Sequence, residues 1–150
     1  MENRIIIKCA GPGELDACYK IRREVFIGEQ NVPEEIERDE YDAAAAHFIA
    51  YNEGRAIATA RAVLKDGGKT AKIGRVAVLK SARGTGIGRI LMQAIERAPE
   101  LSGVTDFILE AQTHALSFYE KLGYRSHGEE FMDAGIPHFH MRKPAMQTQL

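Results

Sequence analysis

A chain of 150 residues with a net charge of −1, and with both signs interspersed along most of its length, carries no basic field of the kind that nucleic acid requires. Its two cysteines, Cys9 and Cys18, lack C-x-x-C spacing and exclude a disulfide scaffold, and no apolar run is long enough to cross a bilayer. A strand-like run follows Met1 almost at once, without a basic and then apolar leader, so a cytoplasmic protein made of one domain, 1–150, is expected.

Ile5-Ile6-Ile7-Lys8 reads as a strand, ended by the breakers Ala10-Gly11-Pro12-Gly13. From Glu14 onward Leu15, Cys18, Tyr19, Arg22 and Phe26 recur at helical spacing and predict one amphipathic helix to about Ile27, with Pro33 preventing its continuation. The acidic run 34–42 has two readings: a solvated surface segment, or a field that draws a cationic amine toward a cleft. Residues 47–51 and 56–64 predict strands around a turn at Glu53-Gly54, and Asp66-Gly67-Gly68 turns the chain into a third strand over 71–78, completing an antiparallel meander. Ile87, Ile90, Leu91, Ala94, Ile95 and Ala98 then share one helical face, which Pro99 ends. Phe107-Ile108-Leu109 predicts a strand buried on both faces, and the unit 73–112 a right-handed crossover between two parallel strands. A short helix over 115–122 follows, Phe131 and Phe139-His140-Met141-Arg142 supply closing strands, and 144–150 is expected to be loose.

The greatest chemical content lies in Arg83-Gly84-Thr85-Gly86-Ile87-Gly88, between the third meander strand and the helix. Glycines at alternate positions let successive N–H groups converge on an anion, and the helix start adds its own unpaired amides and dipole. The dipole contributes about 0.3–1 kcal/mol, against about 1.5–3 kcal/mol for each hydrogen bond to a charged group. The amides therefore dominate. The spacing is not G-x-G-x-x-G, and no acidic residue stands where a dinucleotide ribose would need it. After Gly84 there is also no Lys or hydroxyl residue where a metal-bound triphosphate would need one.

Arg83, Gly86 and Gly88 match the coenzyme A pyrophosphate signature of the GNAT acetyltransferase superfamily: Arg or Gln, two residues, Gly, any residue, then Gly or Ala. Phe118-Tyr119-Glu120-Lys121-Leu122-Gly123-Tyr124 is similar to that family's later motif, F-Y-x-K-x-G-[FY]. Arg22-Arg23-Glu24-Val25-Phe26 with Glu29-Gln30, and residues 135–141, resemble the small bacterial branch typified by ElaA and YjcF proteins. The resemblance implies an α/β (α+β) fold with a mixed, mostly antiparallel central sheet, helices on both faces, and a splayed parallel strand pair that admits the pantetheine arm. It further implies acetyl-CoA as cosubstrate and transfer to a primary amine of a small molecule or peptide by direct attack in a ternary complex. No metal, nucleic acid or membrane partner is expected, and a homodimer is left open. A non-catalytic acyl-CoA-binding module is the alternative, and a nucleotide-binding regulator a third reading.

By the same resemblance the backbone of Val76, Ala77 and Val78 holds the acetyl and pantetheine portion, and the amides of Arg83, Gly84, Thr85, Gly86, Ile87 and Gly88 hold the pyrophosphate, with charge from Arg83 and Arg89. Gln112, Thr113 and His114 sit where the family often has an Asn that touches the cofactor, a departure from its pattern, and Gln112 is taken as the cofactor contact. Tyr119 matches the tyrosine that protonates the departing thiolate, although Ala115, Phe118, Tyr119 and Leu122 also form an apolar helical stripe that would make it a core residue. Glu29, Glu110, His47 and His138 are the candidate bases. Glu110 among apolar neighbours has the alternative of an ion pair with Arg75, and His138 that of a hydrogen-bonded core residue. His138 and His140, without a third ligand, make a poor metal site. Arg22, Arg61 and Arg75 suit an acidic acceptor, in conflict with the acidic run.

Overall fold

The computed structural model describes residues 4–146. Its strands are β1 Ile5–Cys9, β2 Ala46–Asn52, β3 Arg55–Lys65, β4 Thr70–Val78, β5 Asp106–Gln112, β6 Arg125–Asp133 and β7 Ile136–Pro144. They form one seven-stranded sheet in the order β1-β2-β3-β4-β5-β7-β6, antiparallel except for the β4–β5 pair. The expected meander is present, and Glu53 and Gly54, both at positive φ, make its first turn. β3 is buried on both faces over its middle, because helices cover both sides of the sheet there.

On one face α3, Ile87–Glu96, packs Ile87, Leu91, Met92 and Ile95 against Ala60, Ala62 and Ile73, with the small alanines giving the helix close approach. On the other face Ile21 and Val25 pack on Ala77. The helix expected over 14–27 is interrupted. Regular α1 spans Leu15–Arg22, then 23–29 widens to π-type bonding, with the Gln30 amide donating to Val25 O at 3.2 Å. A short helix α2, Glu34–Glu37, and α4, Leu116–Lys121, complete the helices used below.

Three expectations are corrected. β5 alternates buried and half-open residues instead of being buried on both faces, since the side carrying Ile108, Glu110 and Gln112 borders an opening. The tail expected to be loose from Pro144 is not so at its start, because Pro144 ends β7 and the Ala145 amide donates to Thr105 O at 2.8 Å; residues 147–150 lie outside the described residues. The acidic run divides: Glu34, Glu35 and Glu40 are exposed as a solvated segment would be, whereas Glu37, Asp39 and Asp42 are turned inward onto arginines and are not free to attract an amine. Arg22, 1% exposed, donates to Glu37 at 2.8 Å and to Asp42 at 2.7 Å, and Arg61 donates to Asp39 at 2.6 Å and Asp42 at 2.8 Å. Arg75 reaches Asp39 at 3.2 Å and the Glu37 carbonyl at 3.0 Å. The three arginines are therefore not free for an acidic acceptor either.

Candidate active site

β4 and β5 pair through only three residues each, from Thr70↔Asp106 to Lys72↔Ile108, and then part. On the opposite side of β4, Arg61↔Gly74 is followed by Thr59↔Ala77, so β4 spends one extra residue there. That residue is Arg75, at φ 50, and its bulge bends β4 away from β5. The resulting cleft has a volume of about 630 Å³ and is lined by both strands, by 25–41, and by the β6–β7 turn. Val76, Val78, Arg83, Gln112, Tyr119, Glu110 and His138 all border it.

At one end lies the glycine loop. Gly84 and Gly86 sit at φ +79 and +84, a left-handed conformation that only glycine adopts without strain, and Gly86 caps α3. A side chain at Gly86 would meet only the Arg89 guanidinium at 3.7 Å, so backbone conformation, not lack of room, requires glycine there. Gly88 has the reverse reason: a Cβ would lie 3.2 Å from Phe118 Cζ. Among the described residues, the N–H groups from Gly84 through Arg89 make no hydrogen bond to any acceptor, while Thr85 turns its hydroxyl back to Ala82 O. A run of six free amides at a helix start has the donors to hold an anion. Arg89 stands exposed beside it without an ion pair among the described residues, whereas Arg83 is held by Glu29 at 2.8 Å and by Val78 O at 3.0 Å.

Tyr119 is 9% exposed, and its ring meets Phe118 edge-on at 4.9 Å and Tyr124 at 6.0 Å. Its hydroxyl makes no hydrogen bond among the described residues yet is not sealed off, so it opens on the cleft. Burial pushes its pKa up to about 12. His138 donates from Nδ1 to Ile136 O at 2.7 Å. A carbonyl only accepts, so Nδ1 carries a proton, and in the neutral imidazole Nε2 is the acceptor.

Glu110 binds Lys72 at 2.9 Å, not Arg75, because Lys72 projects from the paired part of β4 while the bulge turns Arg75 toward Glu37 and Asp39. Burial alone would raise the Glu110 pKa, but the Lys72 hydrogen bond and charge outweigh it and hold the carboxyl below its ordinary range. Glu29 stands with Arg83 at the loop and does not border the cleft. His47 is buried and bonds Asp42 O through Nε2 at 2.9 Å, away from the cleft. Gln112 faces the gap and clasps Gln30, donating to its side-chain oxygen at 2.8 Å, while His114 Nε2 lies 2.6 Å from the Gln112 oxygen.

Sequence reading gave no role to Gln30 or Lys72. Their contacts join positions far apart in the chain, and no local spacing signals them. Ile36 and Tyr41 were also passed over, because they sit inside a run whose visible feature is charge.

Residues 10–145 match the acetyltransferase (GNAT) domain family. The chain is 45% identical over 131 residues to the uncharacterized N-acetyltransferase YjcF of Bacillus subtilis, covering 87% of this chain and 92% of that one. An acyl-CoA N-acyltransferase from Pseudomonas aeruginosa superposes with a TM-score of 0.79 at 31% identity, over 95% of this chain and 99% of that one. Escherichia coli ElaA superposes with a TM-score of 0.79 at 26% identity and the same coverage. Among the described residues no helix is long and apolar enough to cross a membrane. With the motifs, the parted strand pair and these likenesses together, the chain belongs to the GNAT acetyltransferase family and is an acyltransferase.

Proposed function

We propose that the protein transfers an acetyl group from acetyl-CoA to a primary amine by direct attack within a ternary complex. The observation that carries this reading is the parting of β4 and β5 directly beside a loop of free amides. The donor set suits a diphosphate, with six amides and Arg89 at the loop. Beyond Lys72 the separated strand offers backbone groups to the amide-rich pantetheine arm, as a sheet edge does to an added peptide. The thioester supplies an activated carbonyl and a leaving thiolate.

Val76, Ala77 and Val78 flank that carbonyl, and an amide of this stretch opposes the negative charge that grows on its oxygen. Gln112, clasped to Gln30, bounds the gap. His138 Nε2 accepts the proton that the acceptor ammonium must lose before attack. Glu110 is a weaker base, since its pairing with Lys72 favours the ionised form, and Glu29 and His47 are structural.

Tyr119 holds its proton more tightly than a thiol near pKa 8.5 does. Its contribution is a hydrogen bond to the departing sulfur. The ammonium gives up two protons in all: one passes through His138 to solvent before attack, and the second leaves the nitrogen of the tetrahedral adduct and balances the proton that ends on the CoA sulfur, so no other reactant is needed. Positioning supplies most of the acceleration.

A thiol-release assay with acetyl-CoA and a set of amines should show amine-dependent CoA production. Tyr119→Phe should lower kcat by roughly 10²-fold with KM for acetyl-CoA little changed. An unchanged kcat would remove the phenol from the reaction. Acetyl-CoA binding by calorimetry with no turnover for any amine would favour the binding module instead.

A further inference from the structure

The segment 34–42 keeps Glu34, Glu35 and Glu40 exposed, but its polarity is reversed at four other positions. Glu37 and Asp42, 3% and 7% exposed, are buried against Arg22, whereas Ile36 and Tyr41 are 46% and 50% exposed and border the cleft. An ordinary surface segment buries its apolar residues and solvates its carboxylates. Three arginines hold the reversed arrangement through Glu37, Asp39 and Asp42, so it is a built feature, and it sets two large apolar side chains at the mouth of the site.

The same ion pairs remove the alternatives. Arg61 and Arg75 are committed to Asp39, Asp42 and Glu37, leaving no guanidinium for a carboxylate or phosphate on the acceptor. Glu37 and Asp39, in turn, are committed to those arginines and leave no carboxylate for a second ammonium. Glu110 is paired with Lys72. Lys65 and Asp133 border the cleft without ion pairs among the described residues, but both are exposed and opposite in sign, so water and salt weaken their hold on a ligand. Arg83 is paired with Glu29, Gln30, Gln112 and His114 are bonded to one another, and His138 is bonded to Ile136 O, so the surface left without a partner of its own is apolar: Ile36, Tyr41, Val63 and Phe26.

We propose that the acceptor is a primary amine carried on an apolar, aromatic body, with Ile36, Tyr41 and Val63 packing that body while the amine points toward the thioester. This rests on the transferase reading above. An aromatic ring in such a pocket gains by area burial and by offset or edge contact with Tyr41.

The test compares 2-phenylethylamine with spermidine and glutamate as acceptors at saturating acetyl-CoA, alongside calorimetry of acetyl-CoA binding. Expected is a kcat/KM for 2-phenylethylamine above both others by about tenfold or more. In Tyr41→Ser and Ile36→Ser, whose exposed positions leave folding intact, that ratio should fall through a raised KM for the aromatic amine. Turnover with spermidine or glutamate equal to or better than with 2-phenylethylamine would overturn the inference and leave the transferase reading standing. A ratio unchanged in both variants would also overturn it. CoA release with none of the three, despite bound acetyl-CoA, would count against both readings.

Discussion

Gly88 and Tyr119 are linked through Phe118, and that link makes a sharp test at the level of single residues. The family signature accepts Ala at position 88, yet here a Cβ would press on Phe118 Cζ at 3.2 Å, and Phe118 stacks edge-on against Tyr119. Gly88 has no positive φ, so alanine fits the backbone and, within a helix, adds about 0.5–1 kcal/mol of stability. Gly88→Ala should therefore hold or raise Tm while lowering kcat roughly severalfold, as the ring moves and carries the phenol off line. Adding Phe118→Leu should restore much of the loss. A kcat that never falls would show that the two groups are uncoupled. At this scale the sequence named the loop and Tyr119 from motif spacing alone. It assigned Gly88 to the anion cradle with the other two glycines, because three glycines look alike in a string and only contact with α4 tells them apart.

Among the elements, the stretch from α1 to β2 departs most from the sequence reading. Helical periodicity predicted one rod over 14–27, but the turns over 23–29 widen, and the chain that follows folds back onto β3 and β4. Its anchor is Arg22. Replacing it with Met would leave Glu37 and Asp42 buried without their principal cation, a loss of about 3–5 kcal/mol for a broken buried pair. Urea denaturation of Arg22→Met should show that loss in the midpoint, with an unchanged slope; a change under 1 kcal/mol would mean that the network behaves like surface pairs. Charge patterning could reveal that acids and arginines were both numerous, but not that they neutralise one another, since the partners are 15 to 38 residues apart and come from different elements.

For the molecule as a whole, the same network sets the response to acid. Burial by itself would raise the Asp42 pKa, but hydrogen bonds from Arg22, the Asp39 amide and Arg61 outweigh it and hold the carboxyl well below its usual range; Asp39 is lowered chiefly by its bond to Arg61. Carboxyls lowered on folding bind more protons in the unfolded chain once the pH nears their unfolded value of about 3.9, so their stabilisation is complete above that pH and is lost below it. Thermal unfolding should thus give a Tm that holds from neutrality to about pH 5 and falls below about pH 4, with a shallower fall in Arg22→Met. A Tm insensitive to acid would show the carboxylates to be unpaired in solution. The sequence by itself determined the order of strands and helices, the glycine loop at the start of α3 and the family, because alternation, helical period and glycine spacing are local and survive in one dimension. Only the tertiary structure decided which charges cancel, which histidine borders the cleft, and which apolar side chains stand at its mouth, because each depends on the β4 bulge and the three-residue parallel pairing that bring remote positions to one opening.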